Sequence, residues 1–137
     1  MSSDPPRNVV ALRRAPTGKP NPALEEARRV LRHQARTIEG MLDRLDDRFS
    51  EAVNLLLGTE GHIVVLGVGK SGAIGRKIAS TLACTGSPAI FINAAEAHHG
   101  DLGMITPRDT APLMSHSGET HEVVGLLPYL RAVNIPV

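Results

Sequence analysis

The sequence predicts an α/β fold, with a parallel sheet held between helices in three αβα layers. Three observations carry this. Ile63-Val-Val-Leu66 is an unbroken aliphatic run, the pattern of a strand buried on both faces. Segments of strand character then alternate with helical ones along the rest of the chain, which parallel strands joined by crossover helices satisfy. A glycine-rich turn, Gly67-Val-Gly-Lys-Ser-Gly72, links the first strand to the first of those helices.

The elements follow in order. Residues 1–22 hold five of the ten prolines, with Arg7, Arg13, Arg14 and Lys19 among them and no apolar period. This composition predicts a disordered basic tail. Residues 23–57 form a helical segment, because Leu31, Ile38, Leu42, Leu45, Phe49, Val53 and Leu56 recur at threes, fours and sevens. Gly40 falls inside the pattern and is placed to split or kink it. The charged face, Arg28 to Arg36 with Glu39, Asp43, Asp46 and Asp47, reads as a solvated surface, with packing on a second subunit as the alternative.

Residues 58–137 hold the alternating part. The first strand is Ile63–Leu66 and the first helix Ala73–Ala83, with Ile74, Ile78 and Leu82 on one side. Gly86-Ser-Pro88 is a turn, Ala89–Ile92 a second strand, and Asn93–Pro107 a loop. Thr110–Met114 is a third strand, and Pro112 suits it to an edge or end position. Glu119–Val133 is a helix interrupted at Pro128, and Ile135-Pro-Val137 begins a fourth strand. A sheet that stops on those residues is expected to be incomplete at its C-terminus.

A chain of 137 residues is one domain's worth. Its 15 Lys and Arg nearly balance 14 Asp and Glu, which gives no electrostatic reason to expect nucleic acid or a membrane surface as partner. With one Tyr, two Phe and no Trp, the core must be aliphatic, and the stacking platforms of single-strand binders are missing. The single cysteine, Cys84, cannot form an internal disulfide and is expected as a small buried filler in a reducing compartment. No apolar stretch is long enough for a membrane span, so a cytoplasmic protein is expected.

Two loops carry the chemistry. Gly67–Gly72 opens a helix, where glycines admit close approach and free N–H groups favour an anion. The string formally matches the dinucleotide pattern, but Asn93 stands where that reading needs a ribose-binding acid. The nucleotide-hydrolase loop fails too, because its first glycine would fall at Val64. What remains is a cradle for a small anionic ligand, with Lys70 as its charge, or else a plain tight turn with a surface lysine. Ser115-His-Ser-Gly-Glu-Thr120 makes a second nest of hydroxyls after the third strand. These hydroxyls either bind an anion, cap the following helix, or do both.

Taken in order, GVGKSG, Ala95-Glu-Ala-His-His-Gly-Asp-Leu-Gly103 and SHSGET resemble the sugar isomerase (SIS) domain of the arabinose-5-phosphate isomerases, closely over residues 60–137. The resemblance implies a flavodoxin-like sheet and a homotetramer with shared sites. It also implies interconversion of D-arabinose 5-phosphate and D-ribulose 5-phosphate, on the way to Kdo and lipopolysaccharide. Lys70 and Glu122 match the family's catalytic lysine and first catalytic glutamate, and His99 matches a substrate-contacting histidine. Gly86 and Ser87 match a substrate-contacting turn, while Gly69, Ser71, Gly72, Ser115, Ser117 and Thr120 complete the expected substrate site.

There are departures. The family's second catalytic glutamate and a further histidine have no counterpart in these 137 residues, nor do paired CBS modules. Asn93 replaces a metal-contacting histidine, and His116 replaces an asparagine in the serine loop. An amide oxygen is a poor zinc ligand, so neither metal nor cofactor is expected. A weak or inactive isomerase is the first reading. A non-catalytic sugar-phosphate-binding module is the alternative.

Overall fold

A computed structural model describes residues 21–137; the basic-tail reading therefore lies almost wholly outside the described residues. These residues fall into two units, one ending at Leu45 and the other running from Asp46 to Val137.

In the first unit, helix α1 spans Pro22–Glu39. The Asn21 side chain caps it by accepting the Ala23 amide at 3.0 Å, and Pro22 sits in the first turn, where a missing N–H costs nothing. Ion pairs one turn apart, Glu25–Arg28 and Glu26–Arg29, form along its charged face. The helix stops at Gly40, whose N–H donates to the Arg36 carbonyl at 2.9 Å. The predicted helical segment is thus divided at the glycine that the spacing singled out, and a short 3-10 turn, Leu42–Arg44, follows.

In the second unit, helix α2 (Asp47–Leu57) begins at Asp46, whose carboxylate accepts the Arg48 amide. Strand β1 (Ile63–Gly67) is the spine, buried along its whole length. Its side chains alternate between two cores. Ile63 and Val65 pack with Ala79, Leu82 and Leu56 on one face. Val64 and Leu66 pack with Ile92, Ala97, Val123, Leu126 and Leu130 on the other. Helix α3 (Gly69–Cys84) covers the first face. Strand β2 (Ala89–Asn93) pairs parallel with β1, and β3 (Leu113–Met114) pairs parallel on its opposite side, giving the order β2-β1-β3. Short helices α4 (Ala94–Ala97), α5 (His121–Val124) and α6 (Leu127–Ala132) build the second face. The three-layer αβα arrangement and its parallel sheet are those predicted.

Five local features differ from the sequence reading. The Asn93–Pro107 loop contains α4 and a 3-10 turn, Asp101–Met104, because the Asn93 side chain caps α4 by accepting the Ala95 amide at 3.1 Å. The third strand is regular only at Leu113–Met114. The Thr110 and Pro112 carbonyls still accept from Val64 and Leu66 at 2.8 and 2.9 Å, but Pro112 has no N–H to return. The last helix divides at Gly125–Leu126, ahead of the proline, and Pro128 lies in the first turn of α6. Cys84 is exposed rather than buried, because it ends α3 where the helix runs out past the sheet. Residues 135–137 are not a regular strand, although the Ala111 N–H donates to the Pro136 carbonyl at 2.8 Å and Ile135 is buried.

Among the described residues Asp109 is the one buried carboxylate, 4 % exposed. It accepts from the His62 amide at 2.6 Å and from the Thr106 amide and hydroxyl at 2.6 and 2.9 Å. Burial pushes its pKa up, but these hydrogen bonds outweigh burial and hold it below the usual carboxylate range. Asp109 thus pins the loop before β3 to the loop before β1. Asp109→Ala strands three donors and should cost about 2–3 kcal/mol in urea unfolding. Because the folded-state pKa is depressed, Asp109's stabilisation is present above the unfolded carboxylate pKa and is lost as pH falls through the folded value. The acid limb of the stability profile should therefore flatten in Asp109→Asn, and an unchanged limb would remove Asp109 as its source.

Candidate functional site

The register sets the site. Gly67, Asn93 and Met114 lie level across the three strands, so the segments that follow them emerge side by side at the C-terminal edge of the sheet. This is also where the connections diverge: α3 lies on one face, and α4 and α5 lie on the other. Open α/β sheets bind ligands at such a point.

After β1 the chain turns through Gly69, whose φ of +58° favours glycine. Val68 is the residue before α3, and its side chain offers no cap. The first helical amide bond is Gly72 N–H to the Val68 carbonyl at 3.0 Å. The amides of Gly69, Lys70 and Ser71 are thereby left at an uncapped helix start, the arrangement that favours an anion. Close packing fixes this turn against the sheet. A methyl group on Gly72 would lie 3.0 Å from the Gly67 carbonyl oxygen, and one on Gly75 would lie 3.1 Å from Val65 Cγ1. Lys70 is exposed beside the helix start.

After β3 the serine loop is shaped by its own hydroxyls. Ser115 Oγ accepts the Gly118 amide at 3.0 Å and shares a hydrogen bond with Thr120 Oγ1 at 2.8 Å. Ser117 Oγ accepts the Glu119 amide at 3.1 Å. Of the three hydroxyl hydrogens, the Ser115–Thr120 bond uses one. Two remain to be donated to a ligand. The serines therefore shape the loop while keeping their capacity to donate, so the two sequence readings of this loop are compatible. Gly118, at φ +74°, makes the tight return.

Glu122 follows at the second position of α5 and is half-buried, whereas Glu119 is exposed in the loop. The buried Val123 anchors that turn in the core. His99 lies in the exposed turn after α4, with its amide donating to the Glu96 carbonyl at 2.8 Å. Its neighbour His98 reaches across to α5, with Nε2 at 3.0 Å from the Glu122 carbonyl oxygen. Neither the His98 bond nor the Asp109 anchor was foreseen. The Thr106-x-x-Asp109 spacing was the available signal for the second, and nothing local signals the first.

The structure brings Gly69, Lys70, Ser71, Gly72, Ser115, Ser117, Thr120 and Glu122 to the ends of adjacent strands. Gly86 and Ser87 are elsewhere. They precede β2 and line a concavity with Leu56, Leu57, Thr59 and Ile63, at the opposite end of the sheet. Asn93, which stands where the resemblance has a metal-contacting histidine, accepts the Ala95 N–H through its amide oxygen.

Comparison with known proteins follows the same geometry. The SIS domain model matches residues 56–137. Arabinose 5-phosphate isomerase KdsD of Pseudomonas aeruginosa is 45 % identical over 112 residues, 82 % of this chain and 34 % of the relative. Arabinose 5-phosphate isomerase GutQ of Escherichia coli K12 is 46 % identical over the same length, 82 % of this chain and 35 % of the relative. The chain thus spans about a third of the curated relatives it matches. Among solved structures, an E. coli CFT073 protein in complex with A5P superposes with a TM-score of 0.77 at 36 % identity, over 82 % of this chain and 60 % of that one. The fold is thus shared with that solved structure, and this chain belongs to the SIS domain family.

Proposed function

We propose that the chain binds a pentose 5-phosphate and contributes to its aldose–ketose isomerisation, between D-arabinose 5-phosphate and D-ribulose 5-phosphate. One observation carries this reading: two loops suited to an anion lie on adjacent strand ends, with Lys70 in one and the half-buried Glu122 immediately beyond the other. The names of the relatives and of the solved complex support it. The same reading extends to a homotetrameric cytoplasmic enzyme at the entry to Kdo synthesis for lipopolysaccharide.

The chemistry asks for few parts. The Glu122 carboxylate removes the proton on the carbon beside the carbonyl, and the C–H electron pair forms the enediol double bond. The carbonyl oxygen takes a proton as charge develops on it. Return of a proton to the other carbon, with loss of the hydroxyl proton from the first carbon's oxygen so that it becomes the new carbonyl, completes the exchange. Lys70 supplies positive charge, either to the phosphate or to the developing oxyanion. The hydroxyls of Ser115, Ser117 and Thr120, together with the α3 amides, hold the ligand. His99, on the adjoining turn, is placed with the substrate's hydroxyl end.

We further propose that the 137-residue polypeptide by itself turns over slowly. The resemblance's second glutamate and further histidine are not among its residues. Among the described residues, the stretch leading into β3 makes one backbone bond on its outer side, Ala111 N–H to the Pro136 carbonyl, which leaves the serine loop on a lightly held strand. Catalytic placement tolerates little looseness. Calorimetry with D-arabinose 5-phosphate and with D-arabinose tests the binding half of the proposal. The phosphate ester should bind at least about tenfold more tightly, since charge-assisted hydrogen bonds contribute roughly 1.5–3 kcal/mol each. Equal affinities would remove the anion cradle.

A further inference from the structure

The contact between His98 and the Glu122 segment is used by nothing above, yet it joins the two stretches of chain that carry His99 and Glu122. His98 Nε2 lies 3.0 Å from the Glu122 carbonyl oxygen. A carbonyl can only accept, so Nε2 carries the hydrogen, which fixes the tautomer of a neutral ring. Packing supports the bond. A methyl group on Gly125 would fall 3.0 Å from His98 Cε1 and 3.2 Å from Nε2, so the ring lies directly on that glycine.

We infer that His98 is a positioning residue for Glu122, holding the one-turn helix α5 against α4 through this side-chain-to-backbone bond. Helix α5 has four residues, and among its side chains Val123 alone is buried. Its own amide bonds, from Val124 and Gly125 to Thr120 and His121, close a single turn. A turn this short opens readily unless something outside it holds it. His98 supplies that hold from the turn that also presents His99, so the two candidate substrate-contacting groups move together. The inference rests on the reading of Glu122 as the base, although the structural half can be tested without it.

Amide hydrogen exchange in the 137-residue chain, with slow incorporation of deuterium into ribulose 5-phosphate as a second readout, tests it. His98→Phe keeps a ring of similar size but removes the donor. It should speed exchange at Val124 and Gly125 about fivefold, matching loss of one hydrogen bond. Substrate deuteration should slow by about the same factor, while affinity for inorganic phosphate stays within about twofold. His98→Gln, whose amide N–H can reach the same carbonyl, should restore both rates. Gly125→Ala, which keeps His98 but crowds both its ring and the His121 carbonyl oxygen, should speed α5 exchange at least as much as His98→Phe. The inference is overturned if α5 amides exchange equally in wild type and His98→Phe, or if His98→Gln behaves like His98→Phe. If Glu122→Gln leaves substrate deuteration unchanged, the base assignment fails instead, and the amide result still judges His98.

Discussion

Gly72→Val should destabilise the second unit by about 3 kcal/mol or more and abolish phosphate-ester binding with it. The reason is steric. Helix α3 approaches β1 so closely that a Cβ at Gly72 would lie 3.0 Å from the Gly67 carbonyl oxygen and 3.1 Å from its carbon, both backbone atoms, with Phe91 Cζ at 3.3 Å. Flexible side chains can give way, but the end of a strand buried on both faces cannot. Overpacking commonly costs about 1–3 kcal/mol, and valine's two further carbons put this site at the upper end. Gly72→Ala should cost about half as much. The helix can relieve the clash only by sliding off the sheet, which moves the amides of Gly69, Lys70 and Ser71 away from the serine loop. Urea unfolding followed by circular dichroism measures the loss, and calorimetry measures binding. A Gly72→Val protein within about 0.5 kcal/mol of wild type, with binding intact, would show that α3 is not fixed by this contact and that the loop geometry does not depend on it.

That contact also explains why so much of the fold was legible in the sequence. The β1 run of Ile63 to Leu66 has no polar residue, and only a central strand covered on both faces tolerates that. The Gly67–Gly72 string then fixed where strand became helix, although α3 begins at Gly69, earlier than its apolar period suggests, because the first turn is made of glycine, lysine and serine. Gly40 was readable as a break for the same local reason. Illegible were the features made by pairs distant in sequence. The Thr106-x-x-Asp109 spacing is local, but only the fold brings the His62 amide to Asp109. The Asn93 cap is local, but it competes with strand character in the residues just before it. Pro112 weakens β3 as expected, yet nothing local signals that two carbonyls of that stretch are still used by β1.

The site divides along the same line. Its loops are local strings of glycine and hydroxyl residues, and they were found. Which of two nearby glutamates faces inward depends on where α5 starts, and Glu122 over Glu119 came from the family resemblance, with the half-buried position of Glu122 now beside it. Gly86 and Ser87 came from resemblance alone, and the sheet places them at its other end. Among the described residues no element carries them toward Lys70 within one copy of the chain, so their proposed substrate contact rests on the shared sites of a homo-oligomer.

Glu122→Gln should reduce proton exchange by about 10²–10⁴-fold, the usual contribution of a placed acid–base group, with little change in binding. Because turnover of the 137-residue chain is expected to be slow, the sensitive measurement is incorporation of solvent deuterium at C1 of ribulose 5-phosphate, followed by NMR over long incubations. This reports proton abstraction even where the full isomerisation stalls. Glutamine keeps the shape and loses only the base, so folding and anion binding should be preserved. Lys70→Ala should act differently, weakening the phosphate ester by about tenfold to a hundredfold through loss of one charge-assisted contact. Pairing the two variants also settles which end of the substrate Lys70 serves. If Lys70→Ala lowers affinity for inorganic phosphate by the same factor, its partner is the phosphate. If phosphate affinity holds and deuterium incorporation falls instead, Lys70 faces the developing oxyanion. Exchange within about twofold of wild type in Glu122→Gln would remove this residue as the base, and unchanged binding and exchange in Lys70→Ala would leave the glycine loop without its cation's purpose.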